Sequence, residues 1–561
     1  MRVSKLILHR VVTIAMALAG CGGQDQAVAA PAREAVSLTV PQTVPQAVPQ
    51  TAPQQGSRKV RNIILMIGDG MGPQQVGLLQ TYARRAPHSI YRGRPTHIDR
   101  LLDVGVLGLS DTAPRDTIVA DSACSATQLA TGYPVPNEVI GVGPQGEQLQ
   151  TIVEQAKMLG KATGLVSDTR LAHATPAAFA AHRAHRSMQD EIAEDMIRIA
   201  PDVMLSGGLR RFVPAQVNDQ GAVYDALVAL TDNSFSLSSK RKDNLDLLAR
   251  ASQAGFELVF NKTQMNAARG DKLLGLFADS AMMDGIEYSA TRASQERTEP
   301  TLEEMAAKAL AVLERNEQGF FLMIEGGQID WAGHQNDAGT MLHEMIKFDD
   351  ALGYVLDWVM QREDTLLIVT ADHETGSFGF SYSKKHEPNK SVLRAPGSAD
   401  ELHQPMYNFA DLSLLDKLYA QRRSNKLIWH DFTSLPAGQQ TPATLAGMMT
   451  RHHDFEVTEA MAARVLGRVN NRAHVAGQRP LKGTMWPALH DLFDDFYVYA
   501  DLAHVNLMGH VLAEQQSVVW GTGTHTNTPV LVMAYGPLFA SERFSGYLTH
   551  PEIGEIAKKL F

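Results

Sequence analysis

Four short segments of this chain carry side chains whose types and spacing suit metal-assisted chemistry. In Glu325-Gly-Gly-Gln-Ile-Asp330-Trp-Ala-Gly-His334, a helix entered near Gln328 puts Asp330 and His334 four residues apart on one face. That spacing lets a carboxylate and an imidazole grip one ion. Asp372-His373 offers a second carboxylate–imidazole pair, Gly68-Asp69-Gly70 a further carboxylate, and Gly523-Thr524-His525-Thr526 a further histidine. An isolated D-x-x-x-H reads more simply as a helix N-terminal acid and a solvated imidazole, but chance rarely gathers so many ligand types at the ends of apolar runs. Oxygen and nitrogen donors without thiolates suit Zn²⁺ and Mg²⁺, and several carboxylates point to more than one ion. In Val119-Ala-Asp121-Ser122-Ala-Cys124-Ser-Ala-Thr127, small residues stand wherever a backbone must approach a ligand closely. Alone, this segment reads as a helix start capped by Asp121. Beside metal ligands, Ser122 becomes a candidate nucleophile, because a hydroxyl bound to a divalent cation loses its proton readily and needs no catalytic histidine. No G-x-S-x-G elbow suggests triad chemistry instead.

The elements that must position these residues are legible as patterns. Asn62–Ile67, Gly319–Ile324 and Thr365–Thr370 are continuous apolar runs, and each is followed by an acidic residue: Asp69, Glu325 and Asp372. Such runs read as strands buried on both faces. Between them Met341, Met345, Phe348, Leu352, Val355 and Val359 recur at helical spacing. Strands alternating with helices predict an α/β fold with a mainly parallel central sheet sandwiched by helices, and ligands bind beyond the carboxyl ends of such strands.

The 561 residues suit one large or two modest domains, and a composition 44% hydrophobic and 20% charged excludes wholesale disorder. A formal charge of −10 disfavours a nucleic-acid partner. Residues 1–21 read as an export signal: a basic stretch, an apolar run from Val11 to Ala19, then Leu18-Ala-Gly-Cys21, which resembles a lipobox. The protein is therefore expected to be exported to the periplasm or cell envelope, attached to the membrane only by lipid on Cys21. Residues 22–58, with Val-Pro-Gln repeating every four residues from Val40, read as an extended tether. The catalytic domain is expected over 59–376 and 517–561. It is interrupted by a cap-like insertion over 377–516 with helix-like segments such as Asp454–Val469, after which an apolar run returns at Pro529–Ala534. Cys124 reads as a small packing residue, and His182 and His185, on a helix-like stretch beside Arg186, as surface or supporting residues; His452 and His453 fall in the insertion.

In order from Asn62 to about Pro537, these motifs resemble the alkaline phosphatases, metal-dependent phosphomonoesterases of the alkaline phosphatase/sulfatase superfamily. The resemblance implies hydrolysis of small-molecule phosphate monoesters through a phosphoserine on Ser122, with two zinc ions and one magnesium ion. It makes Asp69, in Ile67-Gly-Asp69-Gly-Met-Gly72, the ligand shared between a zinc and the magnesium. Thr175, in His173-Ala-Thr175-Pro-Ala177, and Glu325 complete the magnesium site, and Arg186 clamps the phosphate. Asp330, His334 and His525 correspond to the ligands of one zinc; Asp372 and His373, with Asp69 and Ser122, to those of the other. Position 173 is aspartate in some members and histidine in others, so His173 is expected to alter magnesium affinity or to act through water. Trp331 stands where a basic or imidazole side chain is also common, which predicts weaker phosphate contact there. The resemblance further implies a homodimer, with the insertion placed like a crown-like cap between subunits.

Rival readings are weaker. A sulfatase needs a C/S-x-P-x-R context, and neither Ser122-Ala-Cys-Ser-Ala nor Cys124-Ser-Ala-Thr-Gln supplies the proline or arginine. A phosphodiesterase of the same superfamily is the alternative; it would need room for a second ester group, whereas an arginine at 186 would hold two of the free phosphate oxygens of a monoester, which favours monoesters without excluding diesters. A tethered metal- or phosphate-binding protein without turnover does not explain a retained nucleophile.

Overall fold

A computed structural model describes residues 59–382, 393–394, 402–403, 407–470, 485–487, 499 and 501–561. The expected export signal, the lipobox at Cys21 and the Pro/Gln-rich tether lie outside the described residues.

The continuous apolar runs form the centre of a sheet with helices on both sides. Among the described residues the sheet has ten strands: β1 (Asn62–Gly68), β2 (Val106–Asp111), β3 (Ala162–Arg170), β4 (Val203–Gly207), β5 (Glu257–Val259), β6 (Leu273–Leu276), β7 (Phe320–Gly326), β8 (Thr365–Ala371), β9 (Val530–Tyr535) and β10 (Gly546–Thr549). Their spatial order is β10-β2-β9-β8-β1-β7-β3-β4-β6-β5. All neighbours are parallel except β9, which runs antiparallel to both β8 and β2. Because strand side chains alternate, β1 splits its apolar residues between two cores: Ile64 and Met66 enter one, Ile63, Leu65 and Ile67 the other. A strand with no polar face needs helices on both sides.

Register decides where the acidic residues meet. Gly68 of β1 lies opposite Gly326 of β7 and Ala371 of β8. Asp69, Glu325 and Asp372 therefore come to the same edge from three adjacent strands. The turn after β1 brings Gly70 to φ +73°, and a Cβ there would come within 2.7 Å of the Asp330 Cα. Glycine is required both for the left-handed backbone and for this approach.

Five helices carry or support the site: α1 (Ser122–Thr131), α2 (Ala174–Ala180), α3 (Gln328–His334), α4 (Ala338–Val359) and α5 (Asn425–Thr433). Alanines of α1 and α2 share one core. The predicted helical stripe from Met341 to Val359 lies on α4, which starts at Ala338 because the Asp337 side chain accepts the Thr340 N–H at 3.2 Å. Two local expectations are corrected. The segment Asp454–Val469 is helical only over Glu459–Leu466, since Thr458 caps it and the chain pairs as a strand from Arg468. His182 and His185 do not lie on a helix: α2 ends at Ala180, and His182 is buried between the Gly141 carbonyl (2.7 Å) and Glu154 (2.9 Å). The described residues form one compact unit, and Leu445, Met449 and Met508, from the segment expected as an insertion, enter the same core as α4.

One buried ion group braces the strand ends. Lys347 of α4 lies 2.8 Å from Asp168 and 2.6 Å from Glu344, and the other Asp168 oxygen accepts the Gly327 N–H at 2.7 Å. Lys347→Met will destabilise the protein by about 3–5 kcal/mol at neutral pH, because two buried carboxylates lose their cation. Burial holds the Glu344 pKa up, at about 7 even beside Lys347. In the variant a raised carboxyl imposes a cost that begins above its unfolded value, grows with pH and levels off once pH passes the folded value, which loss of Lys347 pushes higher still. Urea unfolding will therefore show a larger deficit at pH 9 than at pH 6.

Candidate active site

Asp69 is fully buried, and neither of its carboxylate oxygens has a hydrogen-bond partner. Burial, then the negative charges of Asp372, Asp330 and Glu325, raise its pKa well above the usual range. One oxygen of Glu325 is likewise unpartnered, while the other accepts from the Ser167 hydroxyl and from Thr169 Oγ1 at 3.2 Å. Burial pushes Glu325 up to about 8 against the Ser167 hydrogen bond. Asp69, Glu325 and His173 each bring one ligand atom within 4.8 Å of the others. Thr175, in the first turn of α2, makes no well-formed hydrogen bond through Oγ1 yet lies close enough to favour ionised Glu325. Buried carboxylates with no donors lack what a divalent cation would supply.

Around His373, three oxygen-bearing groups converge on one nitrogen. Nε2 lies 3.1 Å from Asp372, 3.3 Å from Ser122 Oγ and 3.6 Å from Asp69. A Ser–His–Asp triad would hold the imidazole by one nitrogen and use the other. Here a single nitrogen faces both the serine and the carboxylates, as in a coordination shell. The ring is steadied at Nδ1 by Thr375 Oγ1, 3.3 Å away. Burial opposes ionisation of Asp372, yet His373 and the Gly70 N–H hold it down at about 2.

Asp330, His334 and His525 make a second such cluster. His334 Nδ1 lies 2.8 Å from the Gly523 carbonyl and His525 Nδ1 2.8 Å from the Ala120 carbonyl. Carbonyls only accept, so in the neutral rings each Nδ1 carries the proton and each Nε2 presents a lone pair. Those two Nε2 atoms face each other at 3.2 Å, with Asp330 3.2 Å from one and 3.5 Å from the other. Two lone pairs and a carboxylate aimed at one point fit a metal cation. Burial works against charge on Asp330, and His334 with His525 outweighs it, so the carboxyl lies well below its usual value. His373 and His525 stack at 3.5 Å between centroids, which sets the two clusters side by side.

Ser122 opens α1, with Asp121 as N-cap accepting the Cys124 N–H at 3.0 Å. The second Asp121 oxygen takes a hydrogen bond from Arg186 Nη1 at 2.8 Å, and the Arg186 N–H is tied to the Glu138 carbonyl at 2.8 Å. Burial alone would lower the Arg186 pKa, but Asp121 raises it, so a full guanidinium charge is held beside the serine. The structure thus gathers all eleven residues singled out in the sequence: Asp69, Ser122, His173, Thr175, Arg186, Glu325, Asp330, His334, Asp372, His373 and His525.

A family model described as "Alkaline phosphatase" matches residues 60–438. The chain belongs to the alkaline phosphatase family. It is similar to alkaline phosphatase 3 of Bacillus subtilis (strain 168), 28% identical over 509 residues that cover 90% of this chain and 88% of that one. The crystal structure of Thermus thermophilus alkaline phosphatase is 25% identical, with a TM-score of 0.70 over 93% of this chain and 96% of that one. A His-to-Asp mutant of alkaline phosphatase from the Antarctic bacterium TAB5, with Mg bound in its M3 site, shares the fold at 23% identity and a TM-score of 0.54, covering 90% and 98%.

Several residues of this phosphatase that support the site had no local signal. Asp121 reads as a helix cap, and only the fold shows that its second oxygen holds Arg186. Thr375 donates to Asp330 at 2.5 Å as well as touching His373. His550, far along the chain, spans the Asp372 carbonyl (2.8 Å) and Ser110 (2.7 Å). Tyr499 also reaches the site, its ring meeting His334 with 4.9 Å between centroids. Cys124 is buried with Sγ 3.3 Å from the Val135 carbonyl, as a packing residue should be.

Proposed function

We propose that this phosphatase cleaves phosphate monoesters through a covalent phosphoserine on Ser122, using two zinc ions and one magnesium ion. The facing Nε2 lone pairs of His334 and His525 carry the metal reading, since no hydrogen bond satisfies both. Asp330, His334 and His525 would hold one zinc; Asp372 and His373, with Asp69 and Ser122, the other; Asp69, Thr175 and Glu325, with His173 directly or through water, the magnesium. Bound there, the cations would neutralise developing oxyanion charge and ease deprotonation of hydroxyl and water.

The chain's own residues then divide the work. Arg186 offers two parallel N–H donors to the unesterified phosphate oxygens, a fit for a monoester. The Ser122 Oγ–P bond forms as the P–O bond to the alcohol breaks, and the alcohol leaves with a proton. Water then breaks the Oγ–P bond and restores the serine hydroxyl as orthophosphate leaves. The α1 N-cap and the His373 contact fix where Oγ stands.

The test is release of p-nitrophenol from its phosphate monoester and from the matching diester at alkaline pH. Monoester turnover will dominate, fall by at least about 100-fold after exhaustive chelation, and return with zinc plus magnesium. Preference for the diester would move the reading to a phosphodiesterase, and no turnover with metals restored would leave a binding protein.

The reading also includes export by residues 1–21, lipid attachment at Cys21, a tether over 22–58, a cap over 377–516 and a homodimer. The N-terminal motifs and the family resemblance support these. Among the described residues no helix is long and apolar enough to cross a membrane.

A further inference from the structure

Trp331 follows Asp330 and borders the site, its ring meeting His173 edge-on with 5.8 Å between centroids. Two cations stand over that ring: the Arg170 guanidinium carbon is 5.2 Å from its centroid and Lys426 Nζ is 5.1 Å away. Among the described residues neither side chain has a carboxylate within ion-pairing distance or a hydrogen-bond acceptor. Burial and the charges of Arg210, Arg186 and Arg211 lower the Arg170 pKa to about 10. Arg170 and Trp331 are partly accessible and Lys426 is exposed along its side chain, while burial and the Arg170 charge lower the Lys426 pKa against Asp284, Asp501 and Glu344.

A cavity of about 320 Å³ opens beside Trp331 and Lys426, with Ser280 in its lining, and Ser280 is itself bonded to Arg210 at 2.6 Å. Its carboxylates are mostly engaged. Glu344 pairs with Lys347 at 2.6 Å, Glu299 accepts the Met283 N–H at 2.5 Å, and Asp284 caps a helix; Glu287, exposed, has no such partner. At the Trp331 end Arg170 and Lys426 bring two positive charges, with Arg186, Arg210 and Arg211 near the first and Asp284, Asp501 and Glu344 near the second. Those two charges come from two distant segments, the end of β3 and helix α5 of the insertion.

We infer that Arg170 and Lys426, around Trp331, form a second anion subsite that holds a phosphate group other than the one transferred to Ser122. The inference rests on the proposed monoesterase reading. The held group comes either from a second phosphate on the leaving group or from free orthophosphate. In the first case the insertion selects bisphosphorylated substrates.

Steady-state kinetics on the whole protein, loaded with zinc and magnesium, distinguish these sources. The readout is kcat/KM for propane-1,3-diyl bisphosphate divided by that for propyl phosphate, together with inhibition by orthophosphate. The wild type is expected to favour the bisphosphate about tenfold or more, Lys426→Gln and Arg170→Gln to bring the ratio near one, and Lys426→Arg to keep most of it. A wild-type ratio near one with two-site orthophosphate inhibition, reduced to one site in Lys426→Gln, would assign the subsite to free phosphate. Ratio and inhibition unchanged in both glutamine variants overturn the inference. If the wild type hydrolyses neither propyl phosphate nor p-nitrophenyl phosphate, the monoesterase reading itself fails, and the subsite falls with it.

Discussion

Ser122→Ala will reduce kcat for p-nitrophenyl phosphate by about 10³- to 10⁶-fold, the range expected when a covalent nucleophile is removed and electrostatic stabilisation remains. The loss will be chemical and not structural. Ser122 is a buried first-turn residue whose hydroxyl has one hydrogen-bond partner among the described residues, His373 Nε2 at 3.3 Å, and alanine fits the same space. The N-cap that shapes the turn belongs to Asp121 and survives the change. Thermal unfolding of the variant will therefore stay close to wild type. Acid-quenching the wild-type enzyme with a labelled monoester will trap label on the protein, and the variant will trap none. Retained turnover with no trapped label in the wild type would mean direct attack by water.

Arg186→Ala will lower kcat/KM for monoesters by about 10²- to 10⁴-fold, comparable to loss of a charge-assisted clamp on a transferring phosphoryl group. A diester presents one fewer anionic oxygen, so its kcat/KM will fall by less, and the monoester-to-diester preference will shrink. Arg186→Lys will recover only part of the loss, since an ammonium restores charge but not the two-pronged geometry. Asp121 sharpens the expectation: it grips one end of the guanidinium at 2.8 Å, so the fork is aimed before substrate arrives. Equal losses for both ester classes would mean that Arg186 supplies only general attraction.

The reach of the sequence can be traced residue by residue. Runs such as Asn62–Ile67 declare a doubly buried strand because alternate side chains must all find apolar cover, and they do, in two separate cores. Asp330 and His334 declare a shared ligand because four residues of helix put them on one face, and α3 does so over Gln328–His334. Local periodicity thus enforces the α/β class and the strand ends that carry acids, and residue identity sets the donor types found there. Where periodicity was faint, in Asp454–Val469 and around His182, capping and burial drew the boundaries instead.

Which residues meet across long separations depends on the packed fold. Register, not spacing, places Gly68 beside both Gly326 and Ala371 and so brings three carboxylates to one edge. The carbonyls of Gly523 and Ala120 set which imidazole nitrogens stay bare, and nothing near His334 or His525 in the chain foretells that. Lys426 and Tyr499 reach the site from residues 377–516, where the sequence shows helix-like stretches but singles out no site residue. Hydrogen-bond direction and charge complementarity depend on atoms hundreds of residues apart, and the packed fold alone brings them within a few ångströms.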